Sequence, residues 1–368
     1  MQEERKRILN MVQEGKLTVD EALILLEGLE DAESTKKNKA EQLFGELSTA
    51  VKFEEAKKDD SFQSQKHQST KDKIFEFVDT AIQKIKDFDL DLNFGQSVDI
   101  SHIFQQGDVY LREMDVDLAN GSVKIVPWEQ QDVRVECEAK VYRVESQDEA
   151  RNTFLKDVIF AIEGQKLRFA SQQKWMKIHA TLYIPKAQYE NIKVRMFNGS
   201  IISENLQVEK YNVKTANGKI NMSNIESKYV DAETANGQIE VLNGKIDDLE
   251  AETINGAIKL DGSFKKVELQ SFNGNIDCTV TEPSCERIEA KVTTGGIKLY
   301  VPEHAAIAGE LKTNLGNFNV DYAGIQITEE KNEVVQKQLR FQPSSHHDHV
   351  MRIDADTKTG SVTIKRLK

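Results

Sequence analysis

Four carboxylates, Asp231, Glu233, Glu250 and Glu252, occupy matching places in two successive copies of a repeat. Stacked side by side, they would supply the close-set acids with shifted pKa values that hydrolysis or elimination of a polysaccharide needs. The stagger between copies decides whether they meet. The same two places hold Asn212 and Lys214, Glu268 and Gln270, Glu289 and Lys291, and Glu310 and Lys312 in other copies. A catalytic row would keep one chemistry at one place, so sign and length varying this freely describe a solvated outer face.

Other reactive side chains lead no further. His346-His347-Asp348-His349 places three imidazoles and a carboxylate in four positions, yet neighbours in an extended run point to alternate sides and share one ion poorly. A polar loop is the expectation there. Cys137, Cys278 and Cys285 have no metal-ligand spacing, and an odd number makes a poor disulfide framework. No G-x-x-x-x-G-K-[ST], H-E-x-x-H, C-x-x-C or G-x-S-x-G occurs. The reading is of a non-enzyme with no catalytic residue, no cofactor and no metal site.

The elements that carry these residues are legible in a recurring phrase. Thr215-Ala216-Asn217-Gly218-Lys219-Ile220 returns as Thr234-Ala235-Asn236-Gly237-Gln238-Ile239 and Thr253-Ile254-Asn255-Gly256-Ala257-Ile258. Diverged copies centre on Gly274, Gly295, Gly316 and Gly360, with earlier ones at Asn198-Gly199 and Asn120-Gly121. From Gly199 through Gly316 successive glycines lie 19, 19, 19, 18, 21 and 21 residues apart. A period near twenty marks stacked structural units.

Seven and five residues before each glycine stand apolar pairs such as Tyr211 and Val213, Val230 and Ala232, and Leu249 and Ala251. Two and four residues after it stand Ile220 and Met222, Ile239 and Val241, and Ile258 and Leu260. This period of two predicts short strands with one buried face on both sides of the Asn-Gly. Gly199, Gly218, Gly237, Gly256 and Gly274 are read as structural turns at positive φ, which would make a β-branched residue at Gly237 destabilising. A series of two-residue hairpins fits the pattern. So does a solenoid whose equivalent aliphatics form ladders, and recurrence of side-chain type at each offset favours the solenoid.

The 368 residues allow two or three domains. The charge, 49 minus 61 or −12, argues against general affinity for nucleic acid. Neither a secretory signal nor a bilayer-length apolar stretch is present, so a cytoplasmic location is expected.

Residues 1–31 read as a helical hairpin. Ile8, Leu9 and Val12 mark one helix, Thr18 and Glu21 form a capping box, and Val19, Ala22, Leu23, Leu25, Leu26 and Leu29 make an apolar stripe on a second. So small a module cannot bury that stripe alone. Leu23, Leu26 and Leu29 are therefore candidate docking residues toward a second copy, the chain's own β-domain or a protein partner. A DNA-reading helix is disfavoured, because residues 19–30 contain no Lys or Arg.

Residues 32–70 read as a flexible polar linker, although Leu43, Phe44, Leu47 and Val51 fit a weak helix over 40–56. Residues 71–92 read as an amphipathic helix in which Phe75, Phe77, Ile82 and Phe88 either cap the open end of the stack or touch a membrane surface. The β-repeat domain occupies 93–368. It is interrupted by a short helical excursion at 148–158 and by an insertion at 321–351.

The T-x-N-G-x-I array from Gly199 to Gly316, with a last unit at Gly360, resembles the bacterial Toastrack or "putative adhesin" β-repeat domain. Ile8-Leu9-Asn10-Met11-Val12-Gln13-Glu14-Gly15-Lys16-Leu17-Thr18-Val19-Asp20-Glu21-Ala22 resembles the short helical module that precedes it in YvlB/LiaX-like proteins of Gram-positive bacteria. The resemblance implies a non-enzymatic part in the cell-envelope stress response, beside envelope membrane proteins. It carries no catalytic residues. The expected architecture is mainly β: a stacked β-solenoid or β-helix-like domain with a small N-terminal helical hairpin and an amphipathic capping helix.

Overall fold

The computed structural model describes residues 2–14, 16–48, 96–333 and 335–367. The repeat folds as a parallel solenoid. Strands β7 (Gln188–Glu204), β8 (Gln207–Asn217), β10 (Glu226–Asn236), β11 (Ile239–Asn255), β12 (Ile258–Asn273) and β14 (Arg287–Thr294) lie side by side through their segments before each glycine. The segments after it, including β9 (Ile220–Ser223), β13 (Ile276–Val280) and β15 (Ile297–Pro302), form a second parallel row. Every pairing among these is parallel, which rules out a hairpin meander.

Register joins equivalents. Val230 faces Tyr211 on one side and Leu249 on the other, and Ile239 faces Ile220 and Ile258. All six are buried, so the period-two apolar residues become ladders running along the core. The polar members of the phrase hold the coils together. Thr234 Oγ1 donates to the Gly218 carbonyl at 3.0 Å and Thr253 Oγ1 to that of Gly237 at 3.0 Å. The asparagine amides donate in sequence from Asn198 to Asn120, Asn217 to Asn198, Asn236 to Asn217 and Asn255 to Asn236, at 2.7–2.9 Å.

Positive φ accounts for only two of the five glycines read as turns, and close approach of the coils accounts for the others. Gly199 and Gly274 have φ of 145° and 158°, but Gly218, Gly237 and Gly256 lie outside the positive-φ range. A Cβ on Gly237 would sit 1.8 Å from the Gly218 carbonyl oxygen, and one on Gly256 1.7 Å from that of Gly237. Close approach of stacked backbones excludes a side chain there. The left-handed asparagines are Asn205, Asn224 and Asn243, at φ of 57°, 54° and 52°, and they turn a second corner in three successive coils.

The order of coils departs from the order of the chain. Strands β16 (Ile307–Thr313) and β17 (Phe318–Asp321) do not stack on β14 and β15. The C-terminal β20 (Met351–Thr357) lies between β14 and β16, and β21 (Val362–Leu367) between β15 and β17. The glycine row accordingly runs Gly295, Gly360, Gly316. The insertion supplies β18 (Ile325–Asn332) and β19 (Lys337–Pro343), a hairpin added antiparallel to β16 at this end.

At the other end the first coil, β2 (Glu113–Trp128), carries β5 (Lys166–Ser171) and β6 (Met176–Pro185) in parallel. Antiparallel strands then finish the stack: β4 (Ile159–Glu163) on β5, β3 (Val133–Tyr142) on β6, and β1 (Ser97–Gln106) on β3. The short excursion is helix α3 (Gln147–Asp157), capped by Ser146. Its buried Phe154 joins Phe104 of β1 at a centroid distance of 6.0 Å, and Phe104 stacks on Phe160 at 5.2 Å. This aromatic cluster closes that end of the core. The amphipathic segment expected to cap the stack, with Phe75, Phe77, Ile82 and Phe88, lies outside the described residues.

Gly237→Ala tests the close-approach account against Gly107→Ala, since nothing lies within 4 Å of the Gly107 Cβ position. The first substitution is expected to cost about 3 kcal/mol or more and the second less than about 0.5 kcal/mol in chemical denaturation. Equal, small losses would refute it.

Candidate interaction surface

The residue two before the glycine of each phrase stands outside the core. In the first six coils it is Ala119, Phe197, Ala216, Ala235, Ile254 and Phe272, and all six are buried. They form an apolar row down one corner of the solenoid. Helix α2 (Val19–Ser48) covers it, with Leu43 and Leu47 buried in the same cluster and Ala40 and Phe44 packed against it. The Phe44 and Phe197 rings meet edge to face at 6.2 Å. In the remaining coils the corresponding residues are Thr293, Lys358 and Asn314, and the row ends.

This position looks like a neutral spacer in the phrase. Its apolar run over six copies was the available signal, and only the missing partner hid its meaning. The partner is the stretch expected to be linker. Residues 32–48 continue the second helix without a break, because Ala40, Leu43, Phe44 and Leu47 follow one another at helical spacing and find the corner row. A helix of 30 residues reaches about 45 Å, comparable with the roughly 40 Å of nine stacked coils.

Charges flank the apolar seam. The outward carboxylates stand in register, Asp231 beside Glu250 and Glu233 beside Glu252. Lys214 Nζ lies 2.7 Å from Glu233, 3.6 Å from Asp231 and 3.9 Å from Glu46 of α2. Lys39 of α2 lies 2.9 Å from Glu252, and Lys36 donates to the Asn255 side chain at 3.1 Å. Burial, with Glu233 close by, pushes Asp231 up to about 6, and burial also raises Glu252 despite Lys39. The cluster that polysaccharide chemistry would require thus exists, but lysines occupy it and a helix lies across it. Burying two leucines contributes about 1.5–3 kcal/mol each, against about 1 kcal/mol for a partly buried ion pair whose desolvation offsets its attraction, so the apolar seam holds the helix and the charges set its alignment.

The hairpin forms at the far end of α2. Helix α1 (Gln2–Gln13) buries Ile8 against Leu17, Ala22, Leu25 and Leu29, and Leu315 and Val335 of the stack pack against this cluster. Leu315 stands where the first six coils carry the asparagine of the phrase. The capping box is formed, with the Thr18 amide donating to Glu21 at 2.7 Å and the Glu21 amide to Thr18 Oγ1 at 3.3 Å. Of the candidate docking residues, Leu29 is buried in the chain's own cluster, Leu26 is half-buried against it, and Leu23 is exposed. Val19 and Ile24 of the same helix and Leu9 of α1 are also exposed.

The remaining candidates fall apart in space. His349 donates to the Cys285 carbonyl at 3.0 Å and His347 pairs with Ser345 at 3.0 Å. Among the described residues no group of three or more His, Cys, Asp or Glu is placed to hold a metal ion, and no helix is long and apolar enough to cross a membrane. The three cysteines are free and buried, and burial pushes the Cys137 thiol up to about 12.

Because Asp231 is raised above its unfolded value, its contribution to stability is full below about pH 4 and is lost as pH rises through about 6. Asp231→Asn should therefore raise the melting temperature at pH 7.5 and raise it less at pH 5. An equal shift at both values would contradict burial of that carboxylate.

Residues 111–365 match the family model described as Toastrack DUF4097, and residues 3–34 match a SHOCT-like domain. The chain is 46% identical over 369 residues to the uncharacterized protein YvlB of Bacillus subtilis, covering 99% of each. Among solved structures, a "putative adhesin" from Parabacteroides merdae is 13% identical with a TM-score of 0.39, over 73% of this chain and 96% of that one. A "putative lipid binding protein" from Parabacteroides distasonis is 10% identical with a TM-score of 0.37, over 73% and 97%. With a parallel stack built on its T-x-N-G-x-I units and a family match spanning most of its length, the chain belongs to the Toastrack DUF4097 family.

Proposed function

We propose that this protein is a non-enzymatic interaction scaffold of the bacterial cell-envelope stress response. The N-terminal hairpin serves for docking on a protein partner, and the β-stack is a rigid surface that holds it in place. The observation that carries the reading is the division of the hairpin's apolar residues. Ile8, Leu25 and Leu29 anchor it toward Leu315 and Val335, while Leu9, Val19, Leu23 and Ile24 remain exposed. Val19 and Leu23 stand four residues apart on α2 and share one face. Leucine and valine left in water by a module already anchored elsewhere are what a protein partner would cover.

The family match and the lysine-occupied carboxylates both support binding over catalysis. One outward row of the coils is acidic from Asp231 through Glu250, Glu268 and Glu289, and the row beside it mixes Lys214, Glu233, Glu252, Gln270 and Lys291, which suits recognition of a protein surface rather than a uniform polyanion. The partners we favour are membrane proteins of the envelope, met from the cytoplasmic side. The Val19→Ser, Leu23→Ser double variant, used as bait in cells, should lose the proteins captured by the natural chain while its thermal unfolding stays unchanged. Capture of the same proteins by both baits would refute the docking role.

A further inference from the structure

A β-stack can take up another strand only at an edge, where backbone N–H and C=O groups lack ladder partners. Among the described residues four strands pair on one side only: β1 with β3, β4 with β5, β17 with β21 and β18 with β19. Three of these edges are blunted. Strand β17 has four residues and β4 five. Strand β18 carries Glu329, Glu330 and Lys331 and breaks register between Ile327 and Glu329.

Strand β1 has none of these devices. It runs ten residues, Ser97–Gln106, in unbroken register with β3. It contains no Pro, Gly, Lys or Arg, and its one formal charge is Asp99. Packing of Phe104 against Phe154 and Phe160 holds the strand in place. On its outer face Ile103 is 50% exposed.

We propose that β1 is an assembly edge that pairs antiparallel with β1 of a second copy about a two-fold axis at His102. The sequence of the strand is complementary to itself in this register. Each Asp99 meets Gln105, so no like charges oppose one another. Ser101 meets Ile103 on the outer face, and Ile100 meets Phe104 on the inner face, which extends the apolar end of each core across the junction. The two His102 rings come together at the axis, and burial with Arg151 nearby holds this imidazole below its usual value, so both are uncharged at neutral pH. An isologous contact of this kind closes as a dimer and leaves no free β1 edge. This surface lies on β1, apart from the hairpin docking face proposed above.

Sedimentation velocity of the full chain over a wide concentration range tests the proposal. A monomer–dimer equilibrium is expected at neutral pH. Ile103→Lys and, separately, Ser101→Lys should each raise its dissociation constant at least about tenfold, because an edge lysine opposes strand addition. Circular dichroism and melting temperature should stay at the values of the natural chain. Leu23→Lys, on the hairpin, should leave the equilibrium unchanged. A monomer at every concentration, or a dimer indifferent to both β1 variants, would overturn the proposal. So would a dimer abolished by Leu23→Lys alone, which would place self-association on the hairpin.

Discussion

The contact on which this structure depends is the approach of one glycine to the carbonyl of the glycine in the coil before it. At Gly218, Gly237 and Gly256 the space for a β-carbon is already taken by that oxygen, at 1.9, 1.8 and 1.7 Å. Coils that meet this closely at one corner are locked in register, since a slip of one residue would drive a side chain into backbone. The register then aligns everything else: threonine hydroxyls onto glycine carbonyls, asparagine amides into a ladder, and aliphatics into a continuous core.

The same corner connects the two parts of the chain. Because the residue before each asparagine faces outward, the alignment that stacks the glycines also stacks Phe197, Ala216, Ala235, Ile254 and Phe272 into a seam. Helix α2 lies in that seam and carries the hairpin to the opposite end, where Leu315 and Val335 receive it. A long helix packed on a rigid stack fixes the position and orientation of the hairpin. Under the scaffold role proposed above, that placement would be the functional product of the fold.

Much of this was readable from residue order, and the rest was not for identifiable reasons. Period-two apolar residues around Asn-Gly implied strands, and recurrence of type at fixed offsets favoured stacking; both follow from local spacing. Thr18 with Glu21 implied the capping box, because its partners are three residues apart. The corner at each glycine was legible, and Gly199 and Gly274 have the positive φ expected of it, but the close approach that requires glycine at Gly218, Gly237 and Gly256 was not, since a turn and a close approach select the same residue. The insertion of β20 and β21 between earlier strands left no trace, because Gly360 carries the phrase at the end of the chain as it would in any coil. The helix over 32–48 looked like linker because its apolar face, Ala40, Leu43, Phe44 and Leu47, is brief and its partner row lies far away in sequence. The hairpin's seat was invisible for the same reason: Leu315, like Thr294 and Thr359, departs from the asparagine pattern, and such a departure does not announce what it touches.

One corner of the stack thus both registers the coils, through its glycines, and seats α2, through the apolar row beside them. Amide hydrogen exchange across residues 36–47 tests it most directly. Docked as described, the amides of Ala40, Leu43, Phe44 and Leu47 should exchange orders of magnitude more slowly than in a free helix, and Phe197→Asp should release that protection while leaving the β8 and β10 amides slow. Exchange of residues 36–47 at free-peptide rates in the natural chain would contradict the claim.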